Sequence, residues 1–233
     1  MTKKRVITEL EVKIFTSNQL LKYFNNIPIE KIIARVLPSK LINTKYEKYL
    51  NFKKMGSSKI LDILRKFPKY IDKIDTTKLK FNHWYILLLD QPEFINLFDV
   101  NKLDSWQISY ILINQPSLIT ELPLSKIDIN HYLSIVLNQP HLYEYFDLNK
   151  LTGYEWALLL VGNCAISNFP DFSDKCQWDK LDGHNWQYLL ISNDKYIDKC
   201  DWRKLNKDQI DSILKHNPKH RSKILKLIKE YKK

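Results

Sequence analysis

The chain has 233 residues, 44% of them hydrophobic, and a formal net charge of +11. This length suits one or two folded domains, and no apolar run is long enough to span a bilayer. The basic start, Met1 to Val6, is not followed by the apolar core of a secretory signal. We therefore expect a protein without a membrane span that stays in a cytoplasm-like compartment.

Residues 1–55 are the least regular part of the sequence. Val6 to Phe15 could be a strand or the start of a helix, whereas Ser17 to Phe24 and Thr44 to Phe52 have helical patterns. Thr44 and Glu47 have the spacing of a capping box. Because the end of a repeat array needs an atypical unit to shield its core, we interpret this segment as a divergent basic N-terminal capping region.

A Lys–Leu or Lys–Ile dipeptide recurs from residue 78 onwards. We call its second residue the repeat marker; successive markers are 24, 24, 24, 30 and 24 positions apart, at Leu79, Leu103, Ile127, Leu151, Leu181 and Leu205. A proline recurs with the same spacing as the markers, and one unit has an aspartate in its place. These residues are Pro68, Pro92, Pro116, Pro140, Pro170, Asp194 and Pro218. A fixed period in this range indicates an array of structural repeats.

Each marker precedes a segment with the pattern of an α-helix. In most units a good helix-capping residue follows the marker directly, namely Asp104, Asp128, Thr152, Asp182 or Asn206. Apolar residues then stand five, eight and nine positions after the marker, as Trp186, Leu189 and Leu190 do, and these spacings mark one face of a helix. Ile60, Ile63 and Leu64 follow the same pattern, so a divergent unit precedes the first dipeptide.

Two shorter turns should complete each unit. The repeated proline disfavours helical geometry in the residue before it and suits the start of a new turn. An aspartate is placed to cap the last turn, at Asp75, Asp99, Asp147 and Asp201. A column of side-chain amides stands at the end of the first helix of the units, at Gln91, Gln115, Gln139, Asn163, Asn193 and Asn217. Such amides can satisfy carbonyls left unpaired at a helix end, and we favour that role over ligand binding.

No unit of this size can bury its apolar face alone, so neighbouring units must stack. The prediction is an all-α protein, an α-solenoid of about seven 24-residue helical repeats over residues 56–218. It follows the capping region, 1–55, and precedes a basic C-terminal cap helix, 219–233. That helix could alternatively contact nucleic acid, a membrane surface or an acidic partner. The fifth unit is six residues longer than the others, around 162–167, and this insertion is either a binding loop or a tolerated bulge.

Charge is distributed in three blocks. Residues 1–80 have a net charge of +12, residues 81–182 of −8 and residues 183–233 of +7. Nucleic acid that ran along the whole array would cross an unfavourable field in the middle block. The basic ends could contact phosphates, the acidic middle could dock a basic protein surface, or the charges could simply keep the protein soluble.

The residues that usually carry chemistry form no recognisable site. Cys176 and Cys200 occupy a position that is apolar in other units, which indicates core packing, and Cys164 lies in the insertion. His83 and His131 are two units apart, and Pro218 separates His216 from His220. No glycine-rich phosphate loop, zinc motif or nucleophile elbow occurs. We therefore predict no enzyme, no cofactor and no metal.

The sixth unit resembles a poorly characterised bacterial repeat. The residues that carry the resemblance are Leu181-Asp-Gly-His-Asn-Trp186, Leu189-Leu190 and Lys199-Cys-Asp-Trp202-Arg-Lys-Leu205, against units that run W-x-x-L-L-x-x-Q-P-x-F-x-x-x-C-D-W-x-K-L-x-G. The resemblance covers residues 59–218 and weakens where Val100, Leu124 or Leu148 replaces Trp202. The period is also similar to that of leucine-rich-repeat variants, which alternate α- and 3₁₀-helices. Both resemblances imply an architecture and neither implies a catalytic residue or a ligand.

These features favour a non-enzymatic module that binds or blocks a macromolecular partner, such as an accessory or inhibitor protein of a bacterium or phage. A protein partner is preferred, and its candidate docking face is acidic: Asp90, Glu93, Asp104, Glu121, Asp128 and Glu144. The alternative is nucleic-acid binding through the basic N-terminal region, with phosphate contacts at Lys3, Lys4, Arg5, Lys53, Lys54, Arg65 and Lys66. The oligomeric state is left open.

Overall fold

The computed structural model of the chain describes residues 36–162, 166 and 169–231. The segments predicted at Val6 to Phe15 and Ser17 to Phe24, and Cys164 in the insertion, lie outside the described residues. The chain divides into two compact units, Met1–Asp99 and Val100–Lys233, and each is described by itself. The domain limits that the repeats suggest, near residues 55 and 218, stay predictions.

The described residues contain helices and turns and no strand, which confirms the all-α prediction. Unit 1 contains α1 (Ser57–Lys66) and α2 (Phe81–Asp90). Unit 2 contains α3 to α8, which are Ser105–Asn114, Ile129–Asn138, Gly153–Val161, Gly183–Ser192, Lys207–His216 and Arg221–Tyr231. Within unit 2 the helices α3 to α7 pack on one another in chain order. That the repeats form a solenoid stays a prediction.

Short 3₁₀-helices connect the α-helices. In unit 1 they are Pro38–Lys40, Glu47–Tyr49, Phe52–Lys54, Pro68–Lys73, Thr76–Lys78 and Pro92–Leu97. In unit 2 they are Val100–Lys102, Pro116–Thr120, Leu124–Lys126, Pro140–Tyr145, Leu148–Lys150, Trp178–Lys180, Asp194–Lys199, Trp202–Lys204 and Pro218–His220. A regular repeat is therefore one α-helix of ten residues and two 3₁₀ turns, as the sequence predicts.

The predicted caps define where the helices begin. The side chain of the residue after the marker accepts a hydrogen bond from the backbone N–H three residues later, at Asp104, Asp128, Thr152, Asp182 and Asn206. Thr152 and Glu155 complete a capping box, in which the Thr152 N–H donates to Glu155 Oε2 at 2.6 Å. Each such cap satisfies a donor that the first helical turn leaves unpaired and contributes about 1 kcal/mol.

The N-terminal part of unit 1 differs from the sequence prediction in one detail. The segment from Thr44 to Phe52 forms 3₁₀ turns and no α-helix, and the predicted capping box is wrong. Glu47 Oε2 accepts from the N–H of Asn43, and the Thr44 hydroxyl donates backwards to the Leu41 carbonyl. A threonine hydroxyl can bond to the preceding backbone as well as cap a following helix, and the sequence pattern does not distinguish the two.

The core of unit 2 consists of the repeated apolar positions. Trp156 and Trp186, five residues after their markers, are fully buried, and the pairs Leu159–Leu160 and Leu189–Leu190 pack with them. The C-terminal helix α8 buries Ile224 and Ile228 and packs against the Trp202–Lys204 turn. Leu225 and Tyr231 of the same helix are exposed.

The column of amides has the predicted structural role. Four of the amides donate an N–H to a carbonyl in the last turn of the α-helix of the preceding repeat: Gln91 to Arg65 and Gln139 to Ile113 at 2.7 Å, Asn217 to Leu190 at 3.0 Å and Asn193 to Leu160 at 3.5 Å. Asn163 lies outside the described residues. The amides therefore join neighbouring repeats through groups that a helix end leaves unpaired.

Replacing Asn217 by alanine should lower the free energy of unfolding by about 1–2 kcal/mol, because the buried carbonyl of Leu190 would lose its partner. Asn217 is 4% exposed and also donates to Ile213 within its own helix. Asn138→Ala is the matched control, since the amide of Asn138 is exposed and bonds only locally to Ser134. Urea unfolding followed by circular dichroism should show a clearly larger loss for Asn217→Ala, and equal losses would contradict the inter-repeat role.

A second column, formed by the lysines before the markers, was not predicted. The ammonium of Lys180 donates to the carbonyls of Asn149 and Leu151 at 2.6 and 2.8 Å. Lys204 bonds in the same way to Asp179 and Leu181, both at 2.7 Å. Lys126 reaches Asn101 and Leu103, and Lys78 reaches Lys53. These four lysines thus bind carbonyls at the end of the turn that precedes them by one repeat.

The lysine contacts show that the six-residue insertion leaves the stacking unchanged. Lys180 follows the insertion, yet it contacts the preceding marker turn with the same two carbonyl positions as Lys204 does in a regular repeat. Phe172, two residues after Pro170, is buried like its counterparts Phe94 and Leu118. The repeat that follows the insertion therefore makes the same lysine contacts as a regular repeat.

Candidate interaction surfaces

The candidate phosphate contacts have different surroundings. Lys53 and Lys54 are exposed on the Phe52–Lys54 turn. Arg65 forms an ion pair with Asp90, which joins a predicted phosphate contact to a predicted docking residue. The other candidate in α1, Lys66, pairs with Asp62 at 2.9 Å and also donates to the Ser39 hydroxyl. Lys3, Lys4 and Arg5 lie outside the described residues.

A basic hollow lies beside Lys53 in unit 1. Lys48, Lys53 and Lys73 line it together with Asp72 and the exposed ring of Tyr49. Nearby, the Tyr70 hydroxyl donates to Glu47 at 2.7 Å. This bond raises the pKa of Tyr70 to about 12 and lowers the pKa of Glu47. Glu47 therefore stays ionised at neutral pH, and the hollow combines lysines with an aromatic ring and two carboxylates at its edge.

Half of the candidate acidic docking residues have structural partners. Asp104 and Asp128 cap α3 and α4, and Asp90 pairs with Arg65. Hydrogen bonds from the backbone N–H and the ring of His131 hold the pKa of Asp128 below its ordinary value. These carboxylates are exposed, but their geometry is already explained by the fold.

The other three acidic candidates are on or beside the turns that begin at the repeated prolines. Glu93 lies in the turn Pro92–Leu97 of unit 1. Glu121 follows the turn Pro116–Thr120 in unit 2, and Glu144 lies in the turn Pro140–Tyr145. All three side chains are exposed, and each of the two in unit 2 accepts only a local hydrogen bond, from Thr120 or Tyr143. Their carboxylates are accessible to a partner.

The cysteines and histidines have the structural surroundings that the sequence indicates. Cys200 is buried and Cys176 half-buried, and burial raises the pKa of the Cys176 thiol to about 12, which makes it unreactive. His131 bonds to Asp128 and Ser105, and His220 lies beside Asp194. Within the described part of the chain, no group of three or more His, Cys, Asp or Glu could hold a metal ion.

An exposed aromatic surface in unit 2 was missed at the level of sequence. Trp106, Tyr110, Tyr154 and Tyr188 are 54, 43, 57 and 38% exposed. They occupy the positions three and seven residues after the markers, on the side of each α-helix opposite the core. The repeat pattern predicts that most aromatic side chains serve packing, which holds for Trp156 and Trp186 but not for these four. The absence of charged residues from their helices could have revealed the surface.

No protein-family model, curated protein or solved structure matches the chain. The resemblance to the bacterial repeat therefore stays a prediction. None of the helices in the described ranges is long and apolar enough to cross a membrane.

Proposed function

We propose that this chain is a non-enzymatic helical-repeat protein, an α-solenoid that binds or blocks a protein partner in a cytoplasm-like compartment. The observation that carries the proposal is that some polar residues of unit 2 join neighbouring repeats whereas others are exposed and have no structural partner in another repeat. The amide and lysine columns are used to join repeats, as Asn217 and Lys204 are. Glu121 and Glu144 have no such role and remain exposed on successive repeats.

The exposed carboxylates support a basic partner surface. Residues 100–182 hold ten Asp or Glu and five Lys or Arg, a net charge of −5. Two of those basic groups, Lys126 and Lys180, are held against backbone carbonyls. A surface of this sign steers a basic partner towards it and repels an acidic one. The same field opposes nucleic acid at this part of the chain.

The direct test is affinity capture with the tagged chain from host lysate, with and without nuclease, followed by identification of retained protein and nucleic acid. A stoichiometric protein that survives nuclease, and whose contact surface is basic, is the expected result. Retained proteins that disappear when nucleic acid is digested would contradict the proposal.

Charge reversal identifies the docking surface. Glu121→Lys combined with Glu144→Lys should weaken capture of that partner at least about tenfold if both carboxylates face lysines or arginines across the interface. Asp211→Lys, an exposed carboxylate on α7, changes the net charge in the same direction away from this surface and should have little effect. Equal weakening by both variants would indicate a general charge effect and no defined docking site.

The second candidate function is nucleic-acid binding through unit 1. The basic hollow favours it, because Lys48, Lys53 and Lys73 surround a space beside the exposed Tyr49 ring. Lysines that line the path of a nucleic-acid backbone beside an aromatic ring are typical of single-strand binding.

The affinity of the chain for a fluorescent single-stranded oligonucleotide should then fall steeply as the salt concentration rises. Lys53→Gln with Lys54→Gln should reduce the salt slope by about 1 for each phosphate that is no longer neutralised. Lys215→Gln, on exposed α7, is the control.

A further inference from the structure

The solvent side of four consecutive helices in unit 2 carries no formal charge. Helices α3, α4, α5 and α6 together contain a single Asp, Glu, Lys or Arg, and it is Glu155. Glu155 is buried and completes the capping box of α5. The exposed and half-exposed residues of these helices are therefore aromatic, aliphatic or neutral polar.

Within the described part of unit 2, this neutrality is specific to the four helices. In unit 2, α7 contains Lys207, Asp208, Asp211 and Lys215, and α8 is richer still in charged residues. A helix that packs on a core with one side normally presents charged residues on the other. Exposed contiguous apolar surface on a soluble protein usually marks an interaction site, so the outer side of α3 to α6 needs a different explanation from that of α7 and α8.

The exposed rings form two pairs on this surface. Trp106 stacks on Tyr110 within α3, with centroids 5.6 Å apart and planes inclined by 12°. The ring of Tyr154 in α5 lies beside the ring of Tyr188 in α6, with centroids 6.2 Å apart, so this pair joins two repeats. Half-buried aliphatic side chains lie beside the rings, namely Ile113, Leu137, Leu158, Val161 and Ile191, and the last four also pack against the core of unit 2. We call this set of rings and aliphatic side chains the neutral face.

We propose that the neutral face is a self-association surface, and that its occupant is a second copy of this chain. A face without charges offers nothing to pair with a charged partner, and a partner's lysine or carboxylate would lose hydration against it without compensation. A second copy presents no charge there. Its tyrosine and serine hydroxyls and asparagine amides both donate and accept hydrogen bonds, so the face can satisfy itself across a twofold axis.

The size of the neutral face also fits a protein interface. A ten-residue helix is about 15 Å long, and four helices packed roughly 8–10 Å apart span about 35 Å. The projected area is then on the order of 500 Å², and the accessible area of an uneven side-chain surface is larger. A standard interface buries about 800 Å² on each partner, and homodimer interfaces are the more apolar kind, with Tyr and Trp enriched. The inference is independent of the proposed acidic docking surface, which lies on the turns.

The test is sedimentation equilibrium of the full chain at concentrations up to about 100 μM, above the roughly micromolar dissociation constants of weak standard interfaces. The wild type should be a dimer. Tyr154→Ser combined with Tyr188→Ser should raise the dimer dissociation constant at least about tenfold. Tyr231→Ser, which removes an exposed ring from α8, should leave it unchanged, and circular dichroism must show that all three chains are folded.

Salt and fluorescence separate this inference from the proposed function. Association through the neutral face should persist at about 0.5 M salt, where exposed charge pairs are screened, whereas docking of a basic partner to Glu121 and Glu144 should weaken. Acrylamide quenching of the tryptophan fluorescence, to which the exposed Trp106 contributes, should fall as the wild-type concentration rises. A wild type that stays monomeric, or a dimer that the Tyr154 and Tyr188 substitutions do not weaken, would overturn the inference and leave the docking proposal standing.

Discussion

Replacing Trp186 by alanine should lower the free energy of unfolding by about 3–5 kcal/mol. The indole ring is 0% exposed and lies in the core of unit 2 with Leu189 and Leu190. It stacks on Trp178 with ring centroids 5.4 Å apart and planes inclined by 7°. The substitution removes this stacking and leaves a cavity that rigid neighbouring helices cannot close, so the loss of burial and the cavity both contribute.

Urea unfolding followed by circular dichroism measures the loss for Trp186→Ala. Tyr145→Ala is the control, because its ring is 50% exposed on the Pro140–Tyr145 turn and its removal should cost less than about 1 kcal/mol. A loss below about 1 kcal/mol for Trp186→Ala would mean that the fifth position after the marker does not face the core.

The burial of Trp186 illustrates what the sequence can predict. The marker period sets the register, and a helix with apolar residues at spacings of three and four has one side to bury. The caps at Asp128, Thr152 and Asn206 are equally local, because each bonds to a backbone N–H three residues away. Features that depend on a repeated short spacing are therefore predictable from this sequence.

The lysine column could not be predicted in the same way. Its hydrogen bonds join Lys204 to carbonyls 23 and 25 residues earlier in the chain. A lysine at a regular surface position is ordinarily interpreted as solvated, and only the stacking of repeats brings the preceding marker turn within reach. The repeat period indicates that the Lys–Leu dipeptide matters but not which groups the ammonium binds.

The neutral face was missed for a related reason. Hydrophobic periodicity identifies the buried side of a helix, and Trp106 or Tyr154 then adds to the apolar character of the segment without indicating a second surface. The charge pattern carries the missing signal, because α3 to α6 lack the charged outer residues that α7 and α8 have. The net charge of the block hid this signal, because the exposed carboxylates of residues 100–182 are on caps and turns.

The close contact between two neighbouring repeats at Gly153 predicts that a larger residue there is destabilising. Gly153 begins α5, and a Cβ atom at this position would lie 2.2 Å from the carbonyl oxygen of Lys180 and 2.9 Å from its carbonyl carbon. Both atoms belong to the next marker turn, where the same lysine reaches back to Asn149 and Leu151. Alanine at Gly153 would therefore push on backbone atoms that two hydrogen bonds hold in place.

Gly153→Ala should lower the free energy of unfolding by about 2–3 kcal/mol, although alanine is the better helix former by about 1 kcal/mol. The clash is with backbone and cannot be relieved by a rotamer change, and overpacking of this kind costs more than the propensity gains. Equivalent positions hold Ser105 and Ile129 in other repeats, so the sequence alone does not show that glycine is needed here.

Gly56→Ala is the control for Gly153→Ala, because a Cβ atom at Gly56 meets nothing within 4 Å. Its cost should not exceed about 1 kcal/mol, the difference between glycine and alanine at a helix N-cap. Thermal unfolding of both variants, with hydrogen exchange at the Lys180 turn, separates the two effects. If Gly153→Ala is neutral or stabilising, the approach of the Lys180 carbonyl to α5 is looser than the 2.2 Å distance implies.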